Sequence, residues 1–232
     1  MTDYARPELL AESDWLQAHL SDPNLRVVDC ESFDSYRRGH LPGAVGLHVN
    51  PYIKDRANPI HVMPPDQFAD LMGELGISND TLVVCYDGNN SLTATRFWWC
   101  LLYYGHTNAK VLNGGWYKWI HESRPFELGQ GKPVPRGSFQ PRLDESCLCT
   151  LDYLKERYDK SDAVVLDVRS IDEYTGENDR GNKRAGHIPG AVHLEWLNFI
   201  TSDARRVFKP ADELRLMLAQ AGVTPEKEVL IH

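Results

Sequence analysis

The chain has 232 residues, a formal net charge of −8, and hydrophobic and charged shares of 42% and 25%. It is long for one domain and short for two full ones, and its composition is that of an ordinary globular protein. The acidic balance excludes a broad nucleic-acid footprint. No run approaches the roughly 18 apolar residues of a membrane span, and the opening residues lack the apolar core of a secretory signal, so a cytoplasmic location is expected.

Five cysteines, Cys30, Cys85, Cys100, Cys147 and Cys149, are odd in number and irregular in spacing, which argues against a disulfide framework. Cys147-x-Cys149 has the look of half a metal site, but no second pair with zinc-like spacing follows, so neither metal nor cofactor is expected. The net charge repels anions at long range. Any anion site must therefore be built locally, from backbone N–H groups and a few cations.

In chain order, Val27-Val28-Asp29 reads as a strand, followed by Tyr36 and the turn sequence Gly39-His40-Leu41-Pro42-Gly43-Ala44. A strand is expected near Leu47. Pro65 to Leu75 reads as a helix with Pro at its start and Gly76 at its stop. The strand Leu82 to Tyr86 then leads into Asp87 and a polar loop, Gly88 to Thr95. A helix is expected from Arg96 to Tyr104, stopped by Gly105. The strand Ala109 to Leu112, the turn Asn113-Gly114-Gly115 and an amphipathic stretch from Trp116 to His121 follow. The strands are apolar runs rather than alternating ones, which predicts a mostly parallel α/β sheet covered on both faces. The Gly- and Pro-rich stretch from Gly129 to Pro141 reads as a linker.

The pattern then repeats. Val165-Leu166-Asp167 is followed by Tyr174 and by Gly186-His187-Ile188-Pro189-Gly190-Ala191. Asp29 to Asp167 and Tyr36 to Tyr174 are both shifts of 138, whereas His40 to His187 is 147, so the second copy carries nine extra residues, Thr175 to Lys183, read as a loop. A second helix, Pro210 to Ala221, closed by Gly222, precedes the strand Val229 to His232. Gly76 to Gly222 is a shift of 146. On that register Tyr86 pairs with His232, and the partner of Asp87 is the position that follows His232. The expected organisation is a first domain over 8–128, a linker over 129–145, and the N-terminal part of a second domain over 146–232.

These duplicated blocks resemble the rhodanese family. Asp29 with Gly39-His40-Leu41-Pro42-Gly43-Ala44 resembles its first signature, and Val111-Leu112-Asn113-Gly114-Gly115-Trp116 a later one. Leu166-Asp167-Val168-Arg169-Ser170, Glu173-Tyr174 and Gly186 to Ala191 resemble the opening of a second such domain. The resemblance implies rhodanese-like α/β domains of which the second is active. Its cysteine, directly after a strand, takes a sulfane sulfur from thiosulfate or mercaptopyruvate and passes it to a thiophilic acceptor such as cyanide. It also implies an inactive first copy with Asp in place of the cysteine, which matches Asp87.

Sulfur transfer needs a thiolate, and backbone N–H groups at a loop and helix N-terminus lower a thiol's pKa without a charged neighbour. The catalytic cysteine is expected immediately after His232, so residues 1–232 are expected to be inactive alone. Cys85 lies two residues before Asp87 and reads with Cys30 and Cys100 as a core thiol. His40 and His187 read either as turn histidines bonding the backbone or as walls of an interdomain site. Asp29 and Asp167 end strands and read as caps or braces of the neighbouring turns in preference to proton-transfer groups. Arg169 either steers an anionic donor or pairs with a carboxylate such as Glu173. Arg169, Asp167, His187 and His40 are the candidate substrate-binding residues. Some family members carry a substrate-binding Arg where this chain has Glu173. A non-catalytic binding module is the alternative function. A second domain missing a helix, a strand and another helix leaves an open edge, so a swapped or edge-paired dimer, partial disorder after about Asp159, or low stability is expected.

Overall fold

The computed structural model describes residues 4–47, 52–58 and 61–232, which fall into two compact units. The first, Arg6–Cys147 with Ser202–Val207, contains β1 (Leu10–Ala11), α1 (Ser13–His19), β2 (Leu25–Asp29), α2 (Phe33–Arg38), β3 (Val45–Gly46), α3 (Pro65–Glu74), β4 (Leu82–Tyr86), α4 (Leu92–Tyr103), β5 (Ala109–Leu112) and α5 (Gly115–His121). Its sheet has the order β1-β5-β4-β2-β3, and every ladder is parallel. β2 and β4 are rich in Val and nearly buried throughout, as expected for strands covered on both faces. On one face Val27, Val84 and Leu112 pack with Leu16 of α1 and Trp119 of α5. Val83 and Cys85 point the other way, toward the side where α4 packs on β4 and buries Phe97, Cys100 and Leu101.

One helix boundary departs from the sequence reading. The helix expected at Arg96–Tyr104 begins four residues earlier, at Leu92, and the loop after Asp87 is only Gly88 to Ser91. The missing start signal is tertiary. Ser91 adopts a left-handed conformation (φ 66°) with no side-chain cap. The first-turn N–H groups of Thr93 and Ala94 donate instead to the carboxylate of Asp87, at the far side of the loop.

The Gly- and Pro-rich stretch lies along the first unit rather than hanging free. Phe139 is buried edge-on to Phe68, and the N–H groups of Gly137 and Arg142 donate to the carbonyls of Gly73 and Tyr104.

The second unit contains α6 (Leu151–Arg157), β6 (Ala163–Asp167), α7 (Ile171–Thr175), β7 (Val192–His193), α8 (Ala211–Gln220) and β8 (Glu228–Ile231). Its sheet, β7-β6-β8, is again parallel. The strand registers repeat those of the first unit. Leu25 opposes Leu82 in one and Ala163 opposes Glu228 in the other, the same pair under shifts of 138 and 146. The amide of Cys30 donates to the carbonyl of Tyr86 at 2.8 Å, and that of Val168 to the carbonyl of His232 at 3.0 Å. Tyr86 and His232 therefore occupy equivalent places at the carboxyl ends of equivalent strands. Among the described residues no helix is long and apolar enough to cross a membrane.

Candidate functional site

In open parallel sheets ligand chemistry collects beyond the carboxyl ends of the strands. In the first unit that end is occupied by Asp87, a buried carboxylate. Its Oδ1 accepts from the N–H groups of Asn89 and Ser91, both at 2.8 Å. Its Oδ2 accepts from the N–H groups of Thr93 and Ala94, both at 2.8 Å, and from the Thr93 hydroxyl at 3.0 Å. Five donors thus converge on one anion, four of them backbone groups of the loop and the first turn of α4. Converging backbone donors and a helix N-terminus form an anion cradle, and in this unit the protein's own carboxylate fills it. Cys85 lies two residues earlier, fully buried on the face that α4 covers. It does not reach the loop tip, as the strand period requires.

Asp29, at the end of β2, braces its turn by accepting from the Glu31 N–H at 2.9 Å. Burial pushes its carboxyl up to about 7, against the opposing hydrogen bonds from Tyr86 and Glu31. His40 donates from Nδ1 to the carbonyl of Tyr36 at 3.0 Å and stacks on that residue's ring. His187 does the same with Tyr174, at 2.8 Å. In both units, then, the histidine of the Gly-His-x-Pro-Gly turn is tied to the backbone of the preceding helix.

At the equivalent end of β6 in the second unit, Asp167 is buried and pairs with Arg169 through two bonds, Nε to Oδ1 at 3.0 Å and Nη2 to Oδ2 at 2.6 Å. The Arg169 N–H adds a third bond, at 3.1 Å. Burial acts to raise the Asp167 carboxyl, but the Arg169 bonds outweigh it and hold the group below the usual carboxylate range. Arg169 also donates to the carbonyl of Gly186 at 3.0 Å, and His232 Nδ1 lies 3.6 Å from Asp167 Oδ2. The structure brings Arg169, Asp167 and His232 together at the tip of the sheet. The carboxylate that Arg169 holds is Asp167, not Glu173.

Glu173, almost buried, accepts instead from Ser170 Oγ and from Arg180 Nη2, both at 2.9 Å. Burial opposes its ionisation, but these two donors prevail and lower its pKa. Arg180 comes from the nine-residue insertion and was not singled out in the sequence. Its side chain is 63% exposed, against 25% for Arg169. The insertion itself was the available signal, since it occurs in one copy only and carries basic residues.

Comparison with known proteins places these features in context. The Rhodanese-like domain model matches residues 12–122 and 150–232. The chain is 36% identical to the sulfur carrier protein TtuD of Thermus thermophilus, over 99% of this chain and 83% of that protein. It is 36% identical to the thiosulfate sulfurtransferase of Azotobacter vinelandii, over 100% of this chain and 84% of that one. Among solved structures, SseA from Escherichia coli, a 3-mercaptopyruvate sulfurtransferase described by its rhodanese fold, superposes with a TM-score of 0.84. It shares 27% identity over 96% of this chain and 87% of that one.

Proposed function

The chain belongs to the rhodanese-like domain family in both of its halves, and from that premise we propose that it moves a sulfane sulfur from thiosulfate to a thiophilic acceptor such as cyanide. Several of its relatives are named sulfurtransferases and another a sulfur carrier protein, and the coarse activity is a transferase of this family. The nucleophile in this reading is a cysteine at the position following His232. The observation that supports it is the shared register of β4 with β2 and of β8 with β6, on which that position corresponds to Asp87, and a cradle like that of Asp87 is part of the proposal.

The chemistry follows from such a cradle. Backbone N–H groups stabilise a thiolate, which attacks the outer sulfur of thiosulfate. The sulfur–sulfur bond breaks, sulfite leaves with the electron pair, and the enzyme holds a persulfide. Cyanide then attacks the terminal sulfur, thiocyanate leaves, and the thiolate is restored. Two half-reactions through a covalent intermediate give ping-pong kinetics. In the first unit Asp87 blocks this chemistry, because a carboxylate already fills the cradle and offers no sulfur nucleophile.

Mercaptopyruvate is the second reading of the donor, and Arg180 favours it. An exposed guanidinium beside Glu173 is suited to a donor carboxylate. The discriminating measurement is kcat/KM for each donor, with mass spectrometry of the protein after donor and before acceptor. One added sulfur atom on the cysteine after His232 is the expected product. Sulfur on Cys85, or turnover by residues 1–232 alone that is lost in Cys85→Ser, would overturn the assignment.

A further inference from the structure

Beside the Asp87 loop the first unit has a cavity of about 310 Å³, walled by Glu31, Ser35, Arg38, Trp116 and Tyr117. Under the shift of 138, Glu31 stands where the second unit has Arg169, and Ser35 where it has Glu173. The cavity therefore lies at the same end of its sheet as the Arg169–Asp167 pair, with the charge at the floor inverted. An anionic sulfur donor does not suit it. Asp87 already fills the cradle next door, and Glu31 adds a second carboxylate.

The polar groups on its wall are only partly used. Glu31 Oε1 accepts from the Gly88 N–H at 3.0 Å, and among the described residues its Oε2 meets no protein donor. Arg38 gives one N–H to Ser35 Oγ at 3.0 Å, leaving the rest of its guanidinium open. Between them the Trp116 indole forms a flat wall. A Cβ at Gly39 would lie 2.9 Å from one edge of that ring, and a Cβ at Gly88 would lie 3.6 Å from its other end. Only at Gly39 does the close approach of the ring require glycine; at Gly88 a side chain would meet it at ordinary contact distance.

A carboxylate, a guanidinium and an aromatic wall in one small cavity are complementary to a zwitterion with an apolar body. A lone amine leaves the guanidinium unanswered, and a lone acid leaves the carboxylate so. We infer that this cavity binds a free α-amino acid with an apolar or thioether side chain. Its ammonium pairs with Glu31 and its carboxylate with Arg38, while its side chain lies on Trp116, where sulfur–aromatic contact is favourable. This site is separate from the transfer chemistry and stands or falls independently of it.

The test is titration calorimetry of the protein with L-methionine, paired with indole N–H chemical shifts that report on Trp116. Saturable binding that moves the Trp116 resonance is expected. Affinity should fall about tenfold or more for the methyl ester, for N-acetylmethionine, and in Glu31→Gln and Arg38→Gln, because each removes one charge-assisted pair. Glutamine at position 31 keeps an acceptor for Gly88, and circular dichroism checks that both variants fold. No saturable binding at millimolar methionine overturns the inference. So does undiminished binding of either derivative or by either folded variant.

Discussion

The Tyr86 hydroxyl donates to Asp29 Oδ2 at 2.5 Å, inside the core of the first unit. The same oxygen of Tyr86 accepts the Leu41 N–H at 3.0 Å, so one phenol ties together the ends of two adjacent strands and the Gly-His-x-Pro-Gly turn. Asp29 has a carboxyl pushed up to about 7 by burial, well above its ordinary value of 3.8. The folded state thus binds a proton that the unfolded chain has already released. Stability from this group is complete below about pH 4 and is lost as pH rises to about 7. Urea titrations across that range should show the first unit weakening toward neutral pH. Asp29→Asn should flatten the slope, and Tyr86→Phe, which removes a bond to the charged form, should steepen it. An unchanged slope in Asp29→Asn would falsify the assignment.

Asp87 gives the second prediction. Removing its carboxylate in Asp87→Ala leaves five neutral donors facing one small void, and a buried donor left unsatisfied costs about 1–3 kcal/mol, so a loss of at least that size is expected. Asp87→Asn should not rescue, because each carboxylate oxygen accepts at least two donors and an amide nitrogen facing N–H groups accepts none. Urea midpoints of the three proteins decide the matter. Near wild-type stability in Asp87→Asn would mean that the cradle tolerates a donor, contrary to its geometry.

Much of this was legible in the chain because duplication supplies an internal control. The strands at Val83 and Val229, the burial of Cys85 and the place of Asp87 at a strand tip all follow from apolar runs and fixed shifts. Two features were hidden. The start of α4 was missed because its cap is a carboxylate seven residues from Ala94, and because Thr93 and Thr95 are poor helix formers on local propensity. Arg169 and Glu173 are four apart, which suggests a helical pair. Arg169, however, precedes the Ser170 cap of α7, so the helical spacing does not apply and the side chain turns back to Asp167. The partner of Glu173 lies in a polar insertion with no periodicity, where sequence pattern carries no contact information.

The duplicated tyrosines offer a matched pair. Tyr36 donates to the carbonyl of Ala44 at 2.7 Å in a buried setting, and Tyr174 to that of Ala191 at 2.9 Å where burial is partial. Phenylalanine at either position keeps the stacking on histidine and deletes the bond, and at Tyr36 it also removes the hydroxyl's bond with the Gly131 backbone. Tyr36→Phe should cost about 1–3 kcal/mol, since a buried carbonyl loses its partner, and Tyr174→Phe about 0.5–1.5, since water can replace the lost hydroxyl. The difference in urea midpoints is the readout, and equal or reversed costs would contradict the burial argument.

Arg180 separates positioning of the donor from mere anchoring of the insertion. Its Nη2 pairs with Glu173 Oε2 at 2.9 Å while most of the side chain stays in solvent, so part of the guanidinium is left to meet an anion. If it meets the donor, Arg180→Ala should raise KM about tenfold and leave kcat nearly unchanged, as expected when a binding contact common to ground and transition states is lost. The effect should be larger for mercaptopyruvate, whose carboxylate suits a fork of N–H donors, than for thiosulfate, and Arg180→Lys should recover part of it. Salt should erode the wild-type advantage, because an exposed pair is screened. If Arg180 only pins the insertion, the same variant lowers the melting temperature and leaves both KM values where they were. Glu173→Gln then distinguishes the two roles again: it frees the guanidinium without deleting it, so donor binding should survive while the insertion loosens.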